Sequence, residues 1–225
     1  MSGSLSPGIL SIALTGGIGS GKTAVADIFY QLGKDQGLEL IDSDQIARHL
    51  LQGSIYHSPS QALLKVKELF GDELFEPDTG ELNRAILRKK VFNSPEQKKQ
   101  LEALLHPLVY QSIIEQLETY RKQDNIHIVI TAIPLFFETA YQTERSQYFD
   151  RILVVDIPED IQLQRSIKRD HCSKELIQQI IDSQIDRNIR LKRADDIIDN
   201  SGTPQQLKSR VNELFQFYQK LAGRQ

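Results

Sequence analysis

Apolar residues gather into five short runs along this chain: Ile9–Thr15, Leu38–Asp42, His127–Ile133, Arg151–Ile157 and Asp196–Asp199. The first, third and fourth are nearly unbroken stretches of β-branched and aliphatic residues, the pattern of strands covered by helices on both faces. Stretches with helical spacing separate the runs, and this alternation predicts an α/β fold on a mostly parallel, five-stranded sheet. About 80 residues without strand patterning lie between the second and third runs. Helical spacing recurs there over 59–71, 82–92 and 94–122, and Ser94-Pro95 with Gln97 reads as an N-cap, a first-turn proline and a capping-box partner. So long a crossover holds more than one helix, and residues 45–125 are expected to form an inserted helical subdomain. A second helical insertion separates the fourth and fifth runs. Thr203 with Gln206 predicts another capping box, at the start of the last helix. Phe70, Phe92 and Leu104 are expected in the core.

Composition narrows the class. The 225 residues are 40% hydrophobic and 25% charged, with a formal net charge of −3 and a pI near 6.0. That balance fits a globular protein and supplies no global field for nucleic acid or an anionic membrane. The single cysteine, Cys172, cannot form an internal disulfide, which suits a reducing compartment. No apolar run approaches the ~18 residues of a membrane span. Residues 1–8 lack the basic and apolar regions of a signal peptide and read as a flexible tail, so a cytoplasmic location is expected.

The first run leads into Gly16-Gly17-Ile18-Gly19-Ser20-Gly21-Lys22-Thr23, a full match to G-x-x-x-x-G-K-[ST]. Glycines bring bare backbone N–H groups within reach of phosphate oxygens, and a helix starting near Lys22 adds the positive end of its dipole. Lys22 can reach the β- and γ-phosphates and the Thr23 hydroxyl can ligate Mg²⁺. A ligand-free glycine turn is the alternative. The complete match, with an apolar strand before it and an amphipathic helix after it, favours a purine nucleoside triphosphate with Mg²⁺.

The second run ends Asp42-Ser43-Asp44. If the segment is extended, residues two apart point to one side, and both carboxylates face the crevice at the carboxyl edge of the sheet. A kinase acting on a hydroxyl needs such a carboxylate to orient the hydroxyl and accept its proton. Asp44 could equally N-cap the following helix. The third run ends Thr131-Ala132-Ile133-Pro134 with no aspartate to hold a metal, which leaves Asp42 and Asp44 as the metal-side carboxylates.

Taken together, "LTGGIGSGKT", "DSDQIAR", "LNR" with "VF", "LEALLHP", "IPLFFE", "VVDIPEDIQLQRSIKRD" and "ADDIIDNSG" resemble, in order and spacing, the dephospho-coenzyme A kinases. The resemblance runs from about Ile9 to Leu214. It implies ATP-dependent phosphorylation of the ribose 3′-hydroxyl of dephospho-CoA, with a P-loop kinase core in residues 9–44, 126–160 and 194–220. It further implies that 45–125 binds the CoA substrate and that 161–193 forms a lid. Carried over by position, Gly17, Gly19, Ser20, Gly21, Lys22, Thr23 and Ala24 would hold ATP. Asp44 would be the general base, with Asp42 supporting it. Arg48, Arg84, His106, Pro134 and Glu138 would lie near the acceptor, Arg165 and Arg169 in the lid, and Asn200 beside adenine. Ser43 stands where the family has alanine, and Phe136-Phe137 replaces an aliphatic–aromatic pair, so the pocket lining is expected to differ. Arg145 falls in a longer stretch and receives no role.

Blander readings remain beside these. His106-Pro107 could mark a helix break, Glu138 could solvate a loop, and Arg165 and Arg169, one turn apart, could mark a solvated face. Arg187, Arg190 and Arg193 read as surface residues. Another small-molecule P-loop kinase is the alternative function. A GTPase switch lacks its N-K-x-D signature, since no asparagine here is followed by lysine. Oligomeric state is not legible.

Overall fold

The computed structural model describes residues 8–140 and 143–223. Most of the expected N-terminal tail, and the side chain of Arg145, lie outside the described residues.

Five parallel strands form one sheet: β1 (Leu10–Gly16), β2 (Leu38–Asp42), β3 (Ile128–Ala132), β4 (Arg151–Asp156) and β5 (Asp196–Asp199), in the order β2-β3-β1-β4-β5. The apolar runs foretell this layout. Strands β1, β3 and β4 are the three inner ones and are buried along most of their length, whereas the outer β2 and β5 are only half covered. The chain leaves β1, skips over β3 to β2, and later crosses to β4 on the other side of β1. The carboxyl end of β1 is thus the topological switch point, where open α/β sheets bind ligands.

Ten helices connect the strands among the described residues: α1 (Lys22–Gly33), α2 (Ser43–Leu50), α3 (Gln61–Phe70), α4 (Arg84–Phe92), α5 (Pro95–Tyr120), α6 (Phe136–Thr139), α7 (Glu159–Asp170), α8 (Lys174–Asp182), α9 (Arg187–Lys192) and α10 (Pro204–Leu221). By its internal contacts the chain divides into two compact units, residues 1–42 with 116–225, and residues 43–115.

In the sheet-bearing unit, α1 and α10 pack Val25, Phe29, Val211 and Phe215 onto Ile12, Leu14, Ile130 and Leu153. Phe29 stacks on Tyr218 at 6.0 Å between centroids. The Tyr218 hydroxyl, pushed up in pKa by burial, donates to Asp196 Oδ2 at 2.8 Å, and Arg151 holds both oxygens of the same carboxylate. The buried hydroxyl and both carboxylate oxygens of this cluster are thereby paired. The Thr203–Gln206 capping box starts α10 as its sequence predicts.

The other unit has its own core, with Leu63, Val66 and Phe70 of α3 packed with Leu74, Leu82 and Leu87. Asn83 caps α4, its Oδ1 accepting from the N–H groups of Ala85 and Ile86. Gln97 N–H donates to Ser94 Oγ at 3.3 Å at the start of α5. Two expectations fail here. Phe92 is 70% exposed rather than core, because it is the last residue of α4, a helix that buries only Leu87. His106-Pro107 does not break a helix, since α5 runs through it. The proline removes one backbone bond, but buried Val109, Tyr110, Ile113 and Leu117 hold the following turns in place. Among the described residues, no helix is long and apolar enough to cross a membrane.

Candidate active site

Between β1 and α1 the backbone turns through Gly17–Gly21, with Gly19 and Gly21 in the left-handed region at φ 69° and 89°. A side chain at either position would be strained, so this path requires glycine. No side chain caps α1, which leaves its first N–H groups open to a ligand. Lys22, the first residue of α1, folds back and donates to the carbonyls of Gly16 and Gly17, each at 2.9 Å. In this form its ammonium rests on the loop itself, and a phosphate that draws it outward exchanges those two bonds for charge-assisted ones.

An open groove of about 750 Å³ begins at this loop. Gly19, Gly21, Thr23 and Ala24 line it, as do Arg165 and Arg169 of α7 and Asn200 after β5, with Ile28, Pro204 and Leu207 as its apolar part. Asn200 is buried, and its Nδ2 donates to Ser20 O at 2.8 Å while its carbonyl accepts from Arg165 Nη2 at 3.0 Å. Those bonds tie α7, the end of β5 and the glycine loop together. Arg169 pairs through Nε and Nη2 with Asp170, both at 2.7 Å. That pairing holds the Asp170 carboxyl below its ordinary range and raises the guanidinium. The structure therefore brings seven of the sequence-predicted residues to one groove, with Gly17, Ser20 and Lys22 in the adjoining loop.

Four residues that the sequence does not single out, or reads differently, pack against the same loop. A Cβ at Gly17 would lie 2.6 Å from Gln162 Oε1 and 3.0 Å from Arg190 Nη2, and one at Gly19 would lie 2.7 Å from Ser166 Oγ. Gln162 and Ser166, one turn apart on α7, are buried. Gln184, between α8 and α9, accepts from the Ile18 N–H at 3.1 Å. Arg190 corrects its reading as a surface residue. It is 5% exposed, because α9 packs against β4 and carries it beneath Gly17. Arg187 likewise is an ion-pair partner, its Nε and Nη2 meeting both oxygens of Asp156 at 2.9 and 2.6 Å. Arg193 is half-buried and also engaged.

After β3, the Pro134 carbonyl accepts from Thr15 Oγ1 at 3.3 Å, and Glu138 Oε1 accepts from the Ile185 N–H at 2.9 Å. Phe136 and Phe137, where the pocket lining is expected to differ, follow on α6. Both are buried, with Phe136 edge-on to Phe137 and Phe149.

The paired-carboxylate expectation needs a second correction. Strand β2 ends at Asp42 and α2 begins at Ser43, so Asp44 stands in the first helical turn, outside any extended segment. The two-residue alternation does not govern its direction, and it does not occupy the N-cap ahead of the helix either. Asp42 is half-buried at the carboxyl end of β2, paired in register with Ala132, and Asp44 is exposed. In the helical unit, Arg84 Nη2 donates to the carbonyls of Arg48 and Leu51 at 2.9 and 3.2 Å, which caps the carboxyl end of α2. Arg48 and Arg84 are thereby neighbours, and His106 lies half-buried on α5. Among the described residues, no three His, Cys, Asp or Glu side chains gather to hold a metal.

The family model for dephospho-CoA kinase matches residues 10–206. A dephospho-CoA kinase of Idiomarina loihiensis is 40% identical over 207 residues, covering 92% of this chain and 94% of that protein. Among solved structures, TT1252 from Thermus thermophilus superposes with a TM-score of 0.70 at 26% identity, covering 93% of this chain and 98% of that one. A dephospho-CoA kinase from Campylobacter jejuni gives 0.63 at 27% identity, covering 94% and 98%.

Proposed function

Because the chain belongs to the dephospho-CoA kinase family, we propose that it transfers the terminal phosphoryl group of ATP to the ribose 3′-hydroxyl of dephospho-CoA, giving CoA and ADP. The observation that carries this reading is the groove that opens from the glycine loop onto Thr23, Arg165, Arg169 and Asn200. The loop N–H groups and the start of α1 bind the phosphates. Asn200 lies beside adenine, and Ile28, Pro204 and Leu207 give the base an apolar surface. Lys22 leaves the Gly16 and Gly17 carbonyls for the phosphate chain, and Arg165 and Arg169 neutralise charge on the transferred group.

On the acceptor side Asp44 takes the proton of the 3′-hydroxyl as its oxygen attacks phosphorus, with Asp42 supporting that carboxylate. Arg48, Arg84, His106, Pro134 and Glu138 bind dephospho-CoA. Residues 9–44, 126–160 and 194–220 serve as the kinase core, 45–125 as the acceptor-binding subdomain and 161–193 as the lid.

The Thr23 hydroxyl beside the glycine loop suits Mg²⁺, which keeps its waters and binds mainly to substrate phosphates. Thr23 would hold it, and the ion would supply neutralising charge at the phosphates. The reading gives the protein no nucleic-acid or membrane partner and a cytoplasmic location.

The test is ADP release with ATP and Mg²⁺ across a panel of acceptors: dephospho-CoA, adenosine, nucleoside monophosphates and shikimate. Release only with dephospho-CoA is expected. Silence with that acceptor, or preference for another, overturns the assignment.

A further inference from the structure

Arg190 is nine-tenths buried, and its Nε–H has no hydrogen-bond partner. Burying a guanidinium with an idle donor is costly unless an anion completes the site. Burial also lowers the proton affinity of the group, the fields of Glu138, Asp156 and Asp186 opposing this and that of Arg187 adding to it. Those acids have partners already. Asp156 gives both oxygens to Arg187, Glu138 accepts from the Ile185 N–H, and Asp186 caps α9. Arg190 also lines a cavity of about 300 Å³ with Gln162, Gln184 and Arg187, whose rim carries the carboxylates of Glu159, Asp182 and Asp186.

The position is as telling as the vacancy in its bonding. Nη2 abuts Gly17, and Lys22 holds the carbonyl of that same residue. In a loop of this type the helix-side amides take the inner phosphates, and the lysine serves the outer ones. Gly16 and Gly17 therefore mark the outer end of the cradle, and two cations converge there.

We propose that Arg190 is a ligand of the terminal phosphate of the bound triphosphate, a contact made to ATP and not to ADP. The proposal rests on the reading that the glycine loop holds ATP, and it adds a residue from α9 to the phosphate site.

The test is calorimetric titration of the nucleotide-free protein with Mg²⁺ and either ADP or a non-hydrolysable ATP analogue, for wild type, Arg190→Met and Arg190→Lys. The expected result is a loss of analogue affinity about 10–100-fold greater than the loss of ADP affinity in Arg190→Met. Arg190→Lys, which keeps the charge, should lose less. Equal losses for the two nucleotides, or none, overturn the proposal. Should Arg190→Met fail to fold, the ¹⁵Nε resonance of Arg190 in wild type, assigned with Arg190→Lys, decides the matter. It should move with the analogue and stay with ADP; movement with both alike, or with neither, refutes the contact. Wild type that binds neither nucleotide is a different failure, that of the loop's assignment.

Discussion

Replacing Gly17 by alanine tests how tightly the glycine loop is backed. The added Cβ would stand 2.6 Å from Gln162 Oε1, against 3.4 Å or more in ordinary contact, a shortfall of about 0.8 Å. Arg190 Nη2, at 3.0 Å, would need to give about 0.4 Å. Neither side chain is at liberty to swing out. Gln162 is 3% exposed and donates through Nε2 to Ile157 O at 3.3 Å, and Arg190 is 5% exposed. Overpacking of that kind costs about 1–3 kcal/mol. Gln162→Ala alone loses its bond to Ile157, worth about 1 kcal/mol, but it also clears the space that the new methyl needs. The double variant should therefore be less destabilised than the sum of the two single ones, by about 1 kcal/mol or more. Urea denaturation of all four proteins, without nucleotide, measures this coupling. Additivity to within about 0.5 kcal/mol would mean that residue 17 and Gln162 are not in contact, and the packing of α7 behind the loop would be wrong.

Three further outcomes follow from the same geometry. Lys22→Ala should lower kcat by about 10²–10³-fold or more, because the phosphates lose their mobile cation; undiminished turnover would refute the role of the loop. Asp44→Asn should lower kcat by about 10²–10⁴-fold in steady-state assays with saturating acceptor, and a change confined to KM would make Asp44 a binding residue instead. The Asp199 carboxyl is held below its ordinary range chiefly by the Ser201 side chain, then by the Ser201 N–H, which donates at 2.8 Å, with Arg210 assisting. Its folded pKa is therefore lower than its unfolded one, so its contribution is complete above about pH 4 and disappears as pH falls through the folded value. Acid denaturation of Asp199→Asn should show a shallower loss of stability in that window, and an unchanged acid limb would remove Asp199 from the account.

The sheet was legible because burial on both faces leaves a plain mark. Only strands covered twice read as continuous apolar runs, so β1, β3 and β4 read as covered on both faces, and the structure makes them the inner three. The loop was legible because its conformation admits only glycine at two positions. Other features depend on tertiary placement. Arg190 sits in a helix half of whose residues are charged, which looks like a solvated face, and only the docking of α9 on β4 buries it. For its neighbour Arg187 the available hint was Asp156, an acid at the end of a buried strand that had to find a cation nearby. Gln162 and Ser166 left a fainter sign, two uncharged polar residues one turn apart in a helix otherwise rich in charge. The direction of Asp44 was beyond reach because it turns on whether Ser43 ends a strand or begins a helix, and local pattern does not decide between those.

Phosphoryl transfer itself is measured most directly by following the label from γ-³²P-ATP in the presence of Mg²⁺ and dephospho-CoA. The account predicts that the label is recovered as the 3′-phosphate of CoA, one for each ADP formed. Label released as inorganic phosphate, or attached to any other hydroxyl of the acceptor, would contradict it.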